Sequence, residues 1–259
     1  VVGNRWIDLA GAVNVRDLGG LPTRDGATTQ FGRVLRADNL QDLTTDDVDR
    51  LVGKLGLRDV IDLRTELEVD SEGPGPLSRH DDIAVHHHSL YPESGQRTFV
   101  EADDAELAGR KGDDAEIWDA AGLHYTTYLR RRPDSVVAAL RVVAASSGAS
   151  IIHCAAGKDR TGVISALALS VAEVEQDAIV ADYVATGERM AAVLDRLWAT
   201  PTYAADLNGG SIDEYLPRAD SMHTFLRYLD HELGGPLIWL ARQGWTEGDT
   251  IALKSRLLA

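Results

Sequence analysis

Short apolar runs alternate with polar stretches in the first half of the chain, and longer apolar stretches fill the second half. Phe31 to Arg36 is strand-like and is closed by the turn residues Ala37-Asp38-Asn39-Leu40. Thr44 or Thr45, followed by Asp46 and Asp47, suits a helix start, because hydroxyl caps and acids both stabilise the amino end. That helix is expected to reach about Lys54 and stop at Gly56. Leu57 to Arg64 then alternates as a strand, so residues 31–64 form a β-α-β unit and imply a parallel pair. Glu66 to Arg79 reads as a polar connection rich in Gly and Pro, and Ile83 to His88 as another strand.

The middle of the chain carries the clearest contrast. Ala149 to His153 is short, apolar and flanked by small residues, which predicts a buried strand. From Arg160 through Val171 the chain is apolar nearly all round, which predicts a helix inside the domain. Before this pair, Tyr91 to about Glu116 is acidic and reads as a solvated loop; Ile117 to Leu129 has helical spacing, with Tyr125 and Tyr128 expected in the core or a groove. Pro133 opens a helix over 134–145 that Ser146-Ser147-Gly148 ends. Beyond it, helices are expected over 174–185 and on to Trp198, with a break at Thr200-Pro201-Thr202 and a turn-rich segment from Ala204 to Pro217. Met222 to Leu233 is amphipathic, Pro236 starts a short helix ending at Gly244, and Thr246 with Asp249 makes a capping-box start to a last helix.

Length and charge narrow the classes. At 259 residues one large α/β domain with a helical elaboration is favoured over two small domains. A net charge of -15 argues against nucleic acid as a partner, so an anionic substrate must be attracted locally. The single cysteine, Cys154, excludes an internal disulfide framework and an internal dithiol couple. No stretch approaches the roughly 20 apolar residues of a membrane span, and the start Val1 to Trp6 is not a secretory signal. The expectation is a cytoplasmic protein or one exported without a visible leader, of unassigned oligomeric state; abundant alanine, and arginine in excess of lysine, point to a bacterial gene. His86, His87 and His88 invite a metal, but alternation on a strand sends His87 to the opposite face, and no metal or other cofactor is expected.

Between the predicted strand and helix lies Cys154-Ala155-Ala156-Gly157-Lys158-Asp159-Arg160-Thr161-Gly162. A loop at the carboxyl end of a strand and the amino end of a helix can converge its N–H groups on an anion with the helix dipole behind them. Small residues at Ala155, Ala156 and Gly157 allow close backbone approach, and Gly157 can adopt a positive φ. The local field, with Lys158 and Arg160 near, favours a thiolate at Cys154 beneath a bound phosphate.

The motif His-Cys-x5-Arg-Thr-Gly resembles the phosphate-binding loop of cysteine-dependent phosphatases. Spelled HCAAGKDRTG, and with Asn14-Val15-Arg16-Asp17-Leu18-Gly19-Gly20 near the start, it is similar to the atypical bacterial tyrosine phosphatases and related lipid phosphatases. The resemblance implies a mostly parallel sheet flanked by helices, with a helical cover near residues 186–220 whose alternative is an ordinary subdomain. It implies a phosphorylated protein or phosphoinositide substrate, oxygens bound by the loop N–H groups and the Arg160 fork, and in-line attack by Cys154. Asp159 is the first choice for the general acid, since no Trp-Pro-Asp segment appears; Asp62 is the alternate, at the carboxyl end of its strand where ligands bind, and Asp81-Asp82 the third. Thr161 is expected to donate to the Cys154 sulfur, and Lys158 to meet a second phosphate or raise the local potential. His153 is read as a structural hydrogen-bonder rather than a proton shuttle. Arg16 either pairs with Asp17 or, like Asn14, buttresses the loop from behind. The competing readings are a non-catalytic phosphate-binding module of the same fold and a sulfur-transfer or arsenate-reducing enzyme. Sulfur-transfer loops usually have one fewer residue before the arginine, and such reductases use further cysteines that this chain lacks.

Overall fold

The computed structural model describes residues 4–92, 119–204, 207 and 210–258. Most of the acidic stretch after Tyr91, together with Ile117 and Trp118 of the expected helix, lies outside the described residues.

The protein is α/β. A five-stranded sheet has the order β1-β2-β5-β3-β4, with β1 Arg16–Asp17, β2 Val34–Ala37, β3 Leu57–Asp62, β4 Ala84–His87 and β5 Ala149–His153. All neighbours pair in parallel except β1, which runs antiparallel to β2. Helices α1 Thr45–Asp49, extended by a π-helical turn Arg50–Lys54, and α2 Glu66–Glu72 follow β2 and β3. Helices α3 Ala120–Arg131 and α4 Pro133–Ala145 precede β5, and α5 Asp159–Val171 follows it. The rest of the chain adds α6 Gln176–Ala185, α7 Met190–Ala199, the short α8 Pro201–Ala204 and α9 Ile212–Tyr215, then α10 Ala219–His231, α11 Pro236–Arg242 and α12 Glu247–Leu257. Among the described residues no helix is long and apolar enough to cross a membrane.

Period-two alternation divides the core between the faces of the sheet. Val34, Ile61 and Ile152 belong to the larger cluster with α3 to α6 and α10 to α12, while their neighbours Leu35, Val60 and Ile151 join Ala12, Val15 and Leu51 on the other face. Both faces are covered at the three inner strands β2, β5 and β3, whereas the edge strand β4 is largely exposed. Helix α5 is buried nearly all round because it lies among other helices on the first face. The capping box predicted at Thr246 and Asp249 is present, and a second at Thr44 and Asp47 starts α1.

Two local expectations change. The segment from Glu66 to Arg79 contains α2 and a 3-10 turn, Pro76–Arg79, rather than a bare connection. Thr65 caps α2 and Glu68 answers it in a capping box, a local signal strong enough to nucleate the helix despite the polar composition. Arg16 does not pair with Asp17: the two sit on opposite faces of β1, and Asp17 instead accepts from the backbone N–H groups of Gly19 and Gly32, both at 2.7 Å.

The strand order sets the position of the site. Because β5 lies between β2 and β3, the loop after it is flanked by the carboxyl ends of both neighbours.

Candidate active site

The loop from His153 to Lys158 is held from outside through its carbonyls. His153 O accepts from Leu63 N at 3.0 Å, and Ala155 O from Asn39 N at 2.9 Å. Asn14 Nδ2 donates to Ala156 O at 3.0 Å and to Gly157 O at 3.3 Å, and Arg36 Nη2 donates to Gly157 O at 2.7 Å. Lys158 O accepts from Gly162 N at 2.9 Å as α5 begins. In a planar trans peptide the C=O and the following N–H point opposite ways, so each carbonyl turned outward turns the next N–H inward. The N–H groups of Ala156 to Asp159 are thereby aimed into the loop, beside the first-turn N–H groups of α5 that have no intrahelical acceptor. Gly157 has φ +67°, and a Cβ there would stand 2.4 Å from Ala37 O, so both its conformation and its neighbour require glycine.

Two polar clusters brace this arrangement. Asp182 on α6 is buried and accepts from Arg5 at 2.6 Å, Arg16 at 3.1 Å and Arg36 at 2.7 Å. Burial opposes its ionisation, but Arg16, Arg36 and Arg5 outweigh burial and hold its carboxyl well below the usual range. Arg16 also donates to Asn14 Oδ1 at 2.5 Å, which orients the Asn14 amide toward the loop. The buttress expected of Asn14 and Arg16 is therefore direct for Asn14 and one residue removed for Arg16.

On the other side, Arg160 donates from Nη1 and Nη2 to the two oxygens of Glu68, at 2.5 and 2.9 Å. Its guanidinium lies 5.3 Å from the Tyr91 ring centroid. Burial opposes the charge on Arg160, but Glu68 more than compensates. The end-on fork of Arg160 is thus occupied by Glu68, which leaves the Nε edge and the second Nη2 hydrogen for an anion. Glu68 Oε2 also accepts from Thr65 N at 2.8 Å, so the capping box and the arginine share one carboxylate.

Cys154 is buried at the floor of a cavity of about 250 Å³. Tyr91, His124, Tyr125 and Tyr128 line its walls with Ala155, Ala156, Asp159 and Arg160. Asp159 lies inside this cavity, accepts from the Tyr125 hydroxyl at Oδ1 and stands 3.7 Å from Lys158 Nζ. The other acids do not. Asp62 is buried against Arg64, which donates to it from Nε and Nη2 at 2.6 to 3.1 Å. Burial opposes ionisation of Asp62, yet His153 and Arg64 together keep its carboxyl below the usual range, the wrong condition for an acid with a proton to give. Asp81 and Asp82 are exposed ahead of β4, at the opposite end of the sheet from the loop.

His153 is buried with Nε2 3.6 Å from Asp62 and Nδ1 3.4 Å from Cys154 O. Burial lowers its pKa to about 4, and the neutral ring serves as a packed, hydrogen-bonding prop at neutral pH. Thr161 Oγ1 is buried and has no hydrogen-bond partner among the described residues, so the expected bond to the Cys154 sulfur is not made in this state. Lys158 Nζ donates to Tyr215 O at 3.0 Å, which ties the loop to the segment 186–220. His86 and His87 turn to Asp59 and to Arg64 O, at 2.8 and 2.7 Å.

Glu68, Arg36, Asp182, Tyr91 and Tyr125 thus join the site without having been singled out as chemical groups in the sequence. Helical spacing placed Tyr125 in the core or a groove without a chemical role, and Glu68 left the Thr65-x-x-Glu68 pattern, a mark that speaks of a helix start rather than of Arg160.

A family model described as "Tyrosine phosphatase family" matches residues 7–259. The chain is 34% identical over 200 residues to the triple specificity protein phosphatase PtpB of Mycobacterium tuberculosis, covering 70% of this chain and 69% of that one. It is 32% identical over 154 residues to a tyrosine-protein phosphatase of Nostoc commune, covering 58% of this chain and 46% of the relative.

Proposed function

The chain belongs to the tyrosine phosphatase family, and we propose that it hydrolyses phosphate monoesters, phosphotyrosine foremost, through a phosphocysteine intermediate on Cys154. The observation that carries this reading is the outward binding of the loop carbonyls, which aims a ring of N–H groups at the space above the cysteine.

The phosphoryl oxygens rest on these N–H groups and on the free edge of Arg160. The Cys154 thiolate attacks phosphorus in line; the bond from phosphorus to the ester oxygen breaks, and Asp159 gives its proton to that oxygen. Water then attacks phosphorus and yields a proton to the Asp159 carboxylate. The sulfur–phosphorus bond breaks, releasing phosphate and restoring the thiolate. Thr161, whose buried hydroxyl is unpartnered among the described residues, donates to the sulfur as it departs.

The aromatic walls of the cavity support an aryl phosphate as substrate. Likeness to a triple specificity phosphatase supports additional action on phosphoserine, phosphothreonine or phosphoinositides, with Lys158 meeting a second phosphate once released from Tyr215. The segment from Thr186 to Asp220 acts as a helical cover. Support comes from Ala155, which packs with Met190, Val193, Leu194 and Leu197, and from Arg196, which donates to Asn39 O at 3.1 Å and to Asp42 at 3.0 Å. The family match over 7–259 supports a single phosphatase domain.

The test is hydrolysis of an aryl phosphate, a phosphotyrosine peptide and a phosphoinositide by the wild type and Cys154→Ser. Turnover by the wild type, with none by Cys154→Ser and phosphate still bound, is the expected result. A wild type inert on all three substrates would move the binding-module reading to the front.

A further inference from the structure

Asp159 is the only acid among the described residues that line the cavity, and 32% of its side chain is exposed. A carboxyl that loosely held must still lie within hydrogen-bond reach of the leaving oxygen at the moment of transfer. Two tyrosines supply the constraint. The Tyr125 hydroxyl donates to Asp159 Oδ1, and it lies 2.7 Å from the Tyr183 hydroxyl. Having given its single proton to Asp159, the Tyr125 oxygen accepts from Tyr183, so the bonds run in one direction, from Tyr183 through Tyr125 to Asp159.

The support is rigid. Tyr125 and Tyr183 are each 2% exposed, and their rings meet edge to face at 71° with centroids 6.2 Å apart. Gly162 admits Tyr183 to the helix that carries Asp159: a Cβ there would stand 3.0 Å from the Tyr183 ring. Burial, and then the Asp159 charge, push the Tyr125 hydroxyl well above its ordinary pKa, so it remains a donor. The other groups facing Asp159 are Lys158 and Arg160 beside it, Tyr128 and His124 from α3, and Tyr91.

We propose that Tyr125, held by Tyr183, is the positioning residue of the general acid, fixing Oδ1 of Asp159 so that Oδ2 carries the proton to the leaving oxygen. This rests on the assignment of Asp159 as the acid. It gives the glycine of Arg-Thr-Gly a role beyond the loop, as the gap through which a distant helix reaches the acid.

Tyr125→Phe removes one oxygen and keeps the ring. Turnover is to be measured on aryl phosphates of graded leaving-group basicity, alone and with Asp159→Asn. Tyr125→Phe is expected to lose about tenfold in kcat/KM, which reports the step that expels the leaving group, on the most basic leaving group and less than about twofold on the most acidic. In the Asp159→Asn background it is expected to add no further slope, and Tyr183→Phe should repeat the single-variant pattern more weakly. A uniform loss across leaving groups, or full additivity with Asp159→Asn, overturns the positioning role while leaving the phosphatase reading intact. A wild type without turnover, or an Asp159→Asn variant without leaving-group dependence, overturns the acid assignment and this inference with it.

Discussion

Glu68 grips the end of Arg160 with both carboxylate oxygens, at 2.5 and 2.9 Å, and both side chains are buried. Removing one member of a buried pair leaves the other charge without compensation, at a cost of about 3–5 kcal/mol. Glu68→Ala is therefore expected to lower stability by that order in urea unfolding. Glu68→Gln, which keeps an acceptor, should fold but bind inorganic phosphate more weakly as a competitive inhibitor. Unchanged phosphate inhibition in a folded Glu68→Gln would mean that Arg160 needs no brace.

The loop carbonyls give a second prediction. Asn14→Ala removes the donor to Ala156 O and shares in the loss at Gly157 O, where Arg36 remains. Unsatisfied buried acceptors cost about 1–3 kcal/mol, and the freed peptides can turn their N–H groups away from the anion. KM for an aryl phosphate is expected to rise more than kcat falls. A variant with wild-type KM would show that the peptides stay oriented without Asn14.

At Gly157 the backbone requires glycine twice, through φ +67° and through Ala37 O at 2.4 Å from any Cβ. Gly157→Ala is expected to be nearly inactive on every substrate, with stability lowered by about 1–3 kcal/mol from strain. Calorimetry alongside turnover separates the effects, and substantial activity would contradict the close approach.

Acid should destabilise the protein in two stages. His153 is held by burial to a pKa of about 4, below its ordinary value near 6.5, so as pH falls through that interval the unfolded chain takes up a proton that the folded chain refuses. Stability therefore falls with pH from about 6.5 to 4. Against the effect of burial, Asp62 is held below the carboxylate range by His153 and Arg64, and Asp182 by its arginines, so both contribute stability that is lost only as pH drops further. Urea midpoints across pH 7 to 4 test the first stage, with His153→Asn expected to flatten the slope; a midpoint independent of pH in the wild type would refute it.

The strand Ala149–His153, the buried helix after it and the small-residue loop between them were legible in the chain because their causes are local. An apolar run of strand length, small residues at the turn and an apolar helix act within a few positions of one another, and the same holds for the capping box at Thr246. Cys154, Asp159 and Arg160 could be named for the same reason, since they share one loop. What the chain alone left undecided were the partners. Glu68 reaches Arg160, Tyr125 reaches Asp159, and Asp182 gathers Arg5, Arg16 and Arg36, each across a separation that no periodicity records. Asp62 was drawn toward the site by its place at a strand end and withdrawn from it by Arg64. The strand order 1-2-5-3-4 decides these pairings, because inserting β5 between β2 and β3 brings the ends of distant segments around one loop. Local propensity determines which elements form; which charge meets which is determined by burial, where an ion or hydroxyl without its partner is too costly to keep.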